Sequence, residues 1–469
     1  MQKTWVKWLI VLGCGFGIGF LPVPEGITRE SWTLFAIFIA TIVGSIVQPL
    51  TGSAMVLIGV VLSALFGAVK IDKALAGYGD PVVWLVLAAF FLSRAMIKTG
   101  LGHRIALILV RKLGGKTLGL GYSLICTDFL LASMIPSNGA RAGGIILPIA
   151  RSVCETYDSR PDDGTANKLG SFLMALLYQT DIIICATFIT GQASNFIIAD
   201  LVSKNTEIKL THLNWFSAAI IPSIISLIVV PLVIYKFFPP EIKETPNAAK
   251  FASDELTKLG KISQIEKTLL AVFIGVVFLW ATKGYFHELD TTVVALTGIA
   301  VLLLTKVLEW KDLTNESSAW EVFIWYGGLV QMAKMLGETG LTKMFAETVA
   351  NYTNGWSWIL ALSVLALVYF YAHYAFASIT AHVLAMFIPF LVVSIAVGTP
   401  VGLAVLLLTY FSNLNASLTH YGTTPAPIYF GLGYVPQKTW WKIGLIASVI
   451  NITIWSTIGA AWWKLLGWW

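Results

Sequence analysis

Val82 to Ala106 reads VVWLVLAAFFLSRAMIKTGLGHRIA, and half a chain later Val322 to Ala346 reads VFIWYGGLVQMAKMLGETGLTKMFA. Both segments keep a Thr-Gly-Leu near their ends, and Arg94 in the first stands against Lys334 in the second. A second match follows at nearly the same offset. Ser137-Asn138-Gly139-Ala140-Arg141 aligns with Ser378-Ile379-Thr380-Ala381-His382, and Pro148 and Pro389 come at the same spacing after each serine. A third pair of breaks, Thr190-Gly191-Gln192-Ala193-Ser194-Asn195 and Gly422-Thr423-Thr424-Pro425-Ala426-Pro427, aligns to within one residue. The chain is built from two related halves.

Its bulk composition says where those halves reside. Of 469 residues, 57% are hydrophobic and only 12% are charged, about half the charged share of an ordinary soluble domain. Charge-free windows recur, several of them close to the roughly 17 to 25 residues that a helix needs to cross about 30 Å of hydrocarbon. Ser31 to Val69, Trp215 to Tyr235, Thr268 to Thr282, Thr291 to Thr305, Ser357 to Ala372 and Ile443 to Trp463 are such windows. The first is interrupted at Gln48-Pro49-Leu50-Thr51-Gly52 and reads as two spans joined by a tight turn. Lys3 to Leu21 has the basic start and apolar core of a signal peptide. It runs into Leu21-Pro22-Val23-Pro24 with no cleavage box, which predicts a retained first helix. Cys14, Cys126, Cys154 and Cys185 have neither metal nor redox spacing and read as small apolar fillers. No metal site and no nucleic-acid partner is expected.

The net charge of +6 follows from topology, because cytoplasmic loops retain Lys and Arg. With the amino terminus cytoplasmic, the inner segments hold about twenty basic residues against about eight outside, among them Lys343. That parity works only if residues 118–150 enter and leave on one side as a re-entrant hairpin. From Ser137 to Arg151 a helix rises only about 21 Å, too short to cross. Trp440 and Trp441 begin the last span and Trp462 and Trp463 end it, about 33 Å away at helical rise, as aromatic belts require. The carboxyl terminus then lies outside. The expected organisation is a first repeat over residues 1–235, a cytoplasmic linker with a short surface helix over 236–267, and a second repeat over 268–469 with its hairpin near 356–398. The first hairpin opens inward and the second outward, so the halves are inverted. The predicted fold is an all-α polytopic membrane protein of two inverted-topology repeats. Interrupted helices at the midplane of such repeats mark secondary transporters.

Irregular backbone is tolerated at bilayer depth only where protein or a water-filled cavity satisfies it. Each tip ends one half-helix and starts another, whose amino terminus offers free N–H donors and a positive dipole end. Two such tips facing each other suit an anion with a carboxylate at each end. Ser137 and Asn138 in one, with Ser378 and Thr380 in the other, donate hydrogen bonds, and Gly139 leaves room for close backbone approach. The plainer reading is that these residues simply cap the half-helices. Arg141 and His382 are the most informative pair, since a cation at such depth is kept by a counter-charge, a cavity or a function. One permanent and one titratable cation balance a dianion. Their alternatives are a structural pair of Arg141 with Asp128 or Asp181, and a neutral hydrogen-bonded His382.

These tips resemble the paired Ser-Asn-Thr motifs of the divalent anion:sodium symporter (DASS) family, of the INDY and citrate/succinate exchanger type, and the similarity spans nearly the whole chain. Thr424-Pro425 resembles that family's Thr-Pro beside the substrate, and Gly191 and Asn195 fit its first broken helix. The resemblance implies about 11 transmembrane helices plus two re-entrant helical hairpins, a homodimer, and an elevator-type motion. It places substrate contacts at Ser137, Asn138, Gly139, Ser378, Thr380, Thr424 and Pro425. The chain departs from the motif at Gly139 and Ile379, where the family has Thr and Asn, and at Arg141 and His382, where it has small neutral residues. Fixed side-chain charge then stands in for bound sodium, and an empty site moves across a low dielectric only at high cost. The expectation is a sodium-independent antiporter of the cytoplasmic (inner) membrane that needs no cofactor. It would exchange 2-oxoglutarate, succinate, malate or fumarate. The alternative is a sodium-coupled di- or tricarboxylate symporter that uses Gly191, Ser137 and Asn138. An intramembrane enzyme is remote, because no His-Glu-x-x-His or paired nucleophile and base occurs.

Overall fold

A computed structural model describes residues 4–339 and 356–469. The last seven residues of the second repeated segment, with Lys343 among them, lie outside the described residues. Within those described, the chain is helical, with two isolated bridges and no strand. Several of the apolar helices open on a side-chain cap that takes up free N–H groups. Thr28 accepts from Ser31, Thr51 from Ala54, Asp80 from Val82, Ser357 from Leu360, and Ser263 forms a capping box with Glu266. The turn expected after Gln48 is present: Gln48 closes Arg29–Val47 at φ 52°, and Gly52–Leu65 starts after Thr51.

Among the described residues nine helices are long and apolar enough to cross a membrane. Two of them, Trp358–Ala375 and Ile379–Ala396, are the arms of the second hairpin. The other seven run in sequence with Thr4–Phe20, Gly52–Leu65, Thr291–Leu304 and Ser317–Glu338. Thr117–Ala132 and the helical run from Asn138 to Thr156 form the first hairpin. That return arm contains a π-helical turn at Ala142–Ile146, where Leu147 N–H reaches back to Ala142 O. Pro148 explains it, since its ring would clash with the carbonyl four residues earlier and a wider turn moves that carbonyl aside.

Burial separates the core from the lipid-facing shell. Gly170–Thr187 and Val401–Leu418, the helices that precede the third pair of breaks, are each 94% buried, whereas Gln264–Thr282 is 28% buried. The interrupted helices therefore form the centre. The final helix, Gln437–Leu465, passes through a second π turn at Trp455–Gly459. Trp440 and Trp463, read from sequence as belt residues, point inward with 2% and 0% exposure, and Trp463 Nε1 donates to Ala218 O at 2.9 Å. Only their neighbours Trp441 and Trp462 are left partly exposed for an interface.

Residues 236–267 do include a short helix, Pro246–Leu259, and they are fastened to the first half. Thr117 N–H donates to Lys243 O at 3.0 Å, Thr245 N–H to Gly115 O at 2.8 Å, and Thr245 Oγ1 to Gly114 O at 2.7 Å. Arg104 closes this contact. Its Nε and Nη2 meet both oxygens of Glu266 at 2.6 and 3.2 Å, and Nη1 donates to Gly260 O at 2.8 Å. Arg94 and Lys98 brace their helix in a similar way through Asp312, at 3.9 and 2.6 Å.

Removing one partner of a buried, bidentate pair leaves the other charge uncompensated, at a cost of about 3–5 kcal/mol. Arg104→Met should lower the thermal unfolding midpoint in detergent strongly, and adding Glu266→Gln should recover part of the loss. A single variant as stable as the parent would show the pair to be incidental.

Candidate functional site

A cavity of about 380 Å³ lies where the two hairpin tips and two helix breaks converge. From the first half it is lined by Pro136, Ser137, Asn138, Gln192 and Ser194; from the second by Ser378, Thr380, Thr423 and Thr424. Its far wall is made by Ser45, Gln48 and Gly52 around the Gln48 turn and by Ser318 and Glu321 at the start of Ser317–Glu338.

Five residues read from the sequence as substrate contacts, Ser137, Asn138, Ser378, Thr380 and Thr424, reach this lining. Ser137 and Ser378 also act as caps, accepting from Ala140 N–H at 3.2 Å and Ala381 N–H at 3.5 Å. Capping uses an oxygen lone pair and leaves each hydroxyl hydrogen free to donate. The two readings of these serines are therefore compatible. Asn138 accepts from Gly139 N–H at 2.9 Å and donates to Thr423 Oγ1 at 3.1 Å, which ties the first tip to the second break. Gly139 packs behind the lining, where a Cβ would sit 2.7 Å from Thr424 Cγ2. Pro425 is buried and starts the Pro425–Phe430 half-helix, a position where its missing N–H costs nothing.

Arg141 and His382 do not reach the cavity; both are fully buried behind the tips. Arg141 Nε donates to Asp128 Oδ1 at 2.6 Å and Nη2 to Asp181 Oδ1 at 3.1 Å, so its charge is met inside the protein. Nη1 donates to Ile135 O at 2.8 Å and Gly191 O at 2.6 Å, carbonyls left over where the first hairpin and first broken helix interrupt. His382 Nε2 faces Tyr369 O at 3.0 Å and must donate to it, while Nδ1 lies 3.1 Å from the Asn415 amide. A ring that donates at one nitrogen and accepts from an amide at the other is neutral. The direct balancing of a dianion expected of this pair is thus replaced by contacts one layer deeper.

The broken helices are held by side chains that drew less notice in sequence. Asn195 Nδ2 donates to Cys185 O at 2.8 Å and Phe188 O at 2.9 Å, closing the end of Gly170–Thr187. Asn413 Nδ2 donates to Asn195 Oδ1 at 2.9 Å, and Gln192 Nε2 donates to Asn413 Oδ1. This chain of amides joins the first break to Val401–Leu414 in the second half. Asn413 and Asn415 are amides in a mostly apolar run, which is itself the signal that could have found them.

The protein-family model described as the sodium:sulfate symporter transmembrane region matches residues 2–469. YflS of Bacillus subtilis, a candidate malate transporter by name, is 47% identical over 99% of this chain and 97% of its own. The chloroplastic dicarboxylate transporter 1 of Arabidopsis thaliana is 44% identical, over 98% and 83%. An L-tartrate/succinate antiporter of Shigella flexneri is 32% identical, over 98% of each. Among solved structures, the YdaH transporter of Alcanivorax borkumensis matches with a TM-score of 0.50 at 14% identity, covering 87% of this chain and 89% of that one. That likeness concerns the fold.

Gly191 tests how tightly the first break is packed, because a Cβ there would lie 2.6 Å from Cys185 O and 2.8 Å from Cys185 Cα. Backbone cannot give way as a side chain can, so Gly191→Ala should destabilise the protein by about 1–3 kcal/mol. A thermal midpoint unchanged from the parent would contradict this geometry.

Proposed function

The chain belongs to the sodium:sulfate symporter transmembrane family, and from that premise we propose that it exchanges small dicarboxylates across the cytoplasmic membrane without sodium. It is a multi-pass membrane protein of a transporter family, not of an enzyme family. The observation that carries the proposal is the cavity of about 380 Å³ with a hairpin tip on each side. Ser137 and Asn138 take one carboxylate, Ser378 and Thr380 take the other, and Thr424 spaces them, with Gly139 and Pro425 fixing the approach of the backbone. A four- or five-carbon dianion fits such a pair of half-helix amino termini.

Arg141 supports the sodium-independent reading through its contacts with backbone carbonyls. Its Nη1 takes two of the carbonyls, those of Ile135 and Gly191, that a bound cation would use at an interrupted helix. A covalently attached cation cannot leave with the substrate, and Gly191 O is already spent. His382 supports the second tip as a neutral hydrogen-bonded group. The symporter reading needs Gly191 free, which counts against it.

In the proposed topology the amino terminus is cytoplasmic and the carboxyl terminus outside. Two inverted repeats, residues 1–235 and 268–469, are joined by 236–267. The far wall of the cavity then lies at the cytoplasmic ends of Arg29–Val47 and Ser317–Glu338, so this conformation opens inward. Homodimerisation and an elevator motion belong to the same proposal and rest on the family resemblance.

Proteoliposomes loaded with unlabelled succinate should accumulate labelled succinate or malate equally in sodium and in potassium buffer, and empty vesicles should not. Robust uptake into empty vesicles under a sodium gradient would overturn the exchange reading in favour of symport. Asn138→Ala should raise the half-saturating concentration about tenfold, the worth of one hydrogen bond to a charged group.

A further inference from the structure

The charges of Asp128, Arg141 and Asp181 do not sum to zero. One guanidinium faces two carboxyls, and the three residues are 0% (Arg141), 5% (Asp128) and 2% (Asp181) exposed. With both carboxyls ionised the cluster would hold a net negative charge sealed from water, which a protein interior does not sustain when a proton can remove it.

Hydrogen bonding distinguishes the two carboxyls. Asp128 Oδ1 has the shorter contact with Arg141, 2.6 Å against 3.1 Å for Asp181 Oδ1. The Cys185 thiol lies 3.8 Å from Asp181 Oδ1. Asp181 Oδ2 is buried with no donor in reach. Both carboxyls meet the same guanidinium through Oδ1. A sealed carboxyl oxygen that no donor reaches is accommodated when it carries the hydrogen itself. The remaining titratable groups beside the cluster are Tyr178 on the same helix as Asp181 and Tyr429 from Pro425–Phe430, and neither is cationic.

The second half provides an independent comparison. Tyr369 precedes His382 by 13 residues, as Asp128 precedes Arg141. Tyr369 shares a hydrogen bond of 2.7 Å with Ser412, which stands ahead of the second break much as Asp181 stands ahead of the first. There the shared hydrogen belongs to a hydroxyl. In the first half a carboxyl pair fills the same place and must acquire its hydrogen from solution.

We propose that Asp128 and Asp181 form a proton-binding site beside the first hairpin tip, with one proton held on Asp181 Oδ2 and Asp128 ionised against Arg141. The cluster is then electroneutral, and Arg141 gives the tip its hydrogen-bond donors without adding net charge. The site stands whichever anion the cavity carries.

Infrared spectroscopy of the full-length protein in proteoliposomes at pH 7 tests this directly. The wild type should show a carboxylic-acid C=O stretch, separate from the carboxylate bands and shifted in D₂O. Asp181→Asn should abolish it while keeping its thermal midpoint closer to wild type than Asp128→Asn does, because a neutral amide replaces a neutral acid and still accepts from Arg141, whereas at Asp128 it removes the charge that balances the guanidinium. No acid band in the wild type, or a band that Asp181→Asn leaves in place, overturns the proposal. Should Asp181→Asn fail to fold, the wild-type spectrum from about pH 5 to about pH 9 decides. A band present throughout supports a bound proton, and one that appears only at acid pH overturns it.

Discussion

The guanidinium of Arg141 spends its N–H groups on the places where the chain stops being a helix. At bilayer depth no water is available to satisfy the ends of an interrupted helix, so a protein that needs such ends must supply donors of its own. A single planar cation with five donors does this for the first hairpin and the first broken helix together, through Ile135 O and Gly191 O. Its cost is charge, which Asp128 and Asp181 offset. With those contacts in place, the Ser137 tip is free to use its remaining groups on a ligand.

The two halves also hold each other at this depth. Asn138 reaches Thr423, and the amides of Gln192, Asn413 and Asn195 run from one half to the other. Tyr178 donates to Ala416 O and Gln179 to Ser417 O, which adds the Gly170–Thr187 helix to the same contact. Polar groups paired across a buried contact resist relative displacement, because it leaves them unpaired in a low dielectric. The tips and breaks are therefore held together as one packed centre.

What could be read from the sequence was whatever is spelled as polarity inside an apolar run. The breaks at the two tips, the Gln48 turn and the tip residues Ser137, Asn138, Ser378, Thr380 and Thr424 are of this kind, and the described residues place each of them as a break or a lining group. Asp128 and Asp181 were visible as partners for Arg141, but sequence alone left them as alternatives to a ligand-facing role. The choice depends on three separate helical segments meeting, which no local pattern encodes. Tyr369 gave no signal, since its role is to present a backbone carbonyl and a hydroxyl to neighbours more than ten residues away. Trp440 and Trp463 were misread for the opposite reason. Their spacing matches an aromatic belt, yet spacing along one helix fixes height and not the side of the helix that meets the core.

The stitching of residues 236–267 changes what the connection between the halves is for. A tether would transmit nothing but covalent continuity. This segment instead pairs backbone with the loops at both outer ends of the first hairpin, including Glu241 N–H with Asn167 O and Ile242 N–H with Lys168 O at 3.1 and 3.0 Å. It works as a buckle across the mouth of that hairpin. Across Pro246–Leu259 the chain is held twice more without its covalent link, by the amides of Gln192, Asn413 and Asn195 at the centre and by Arg104 with Glu266 and Gly260 at the edge.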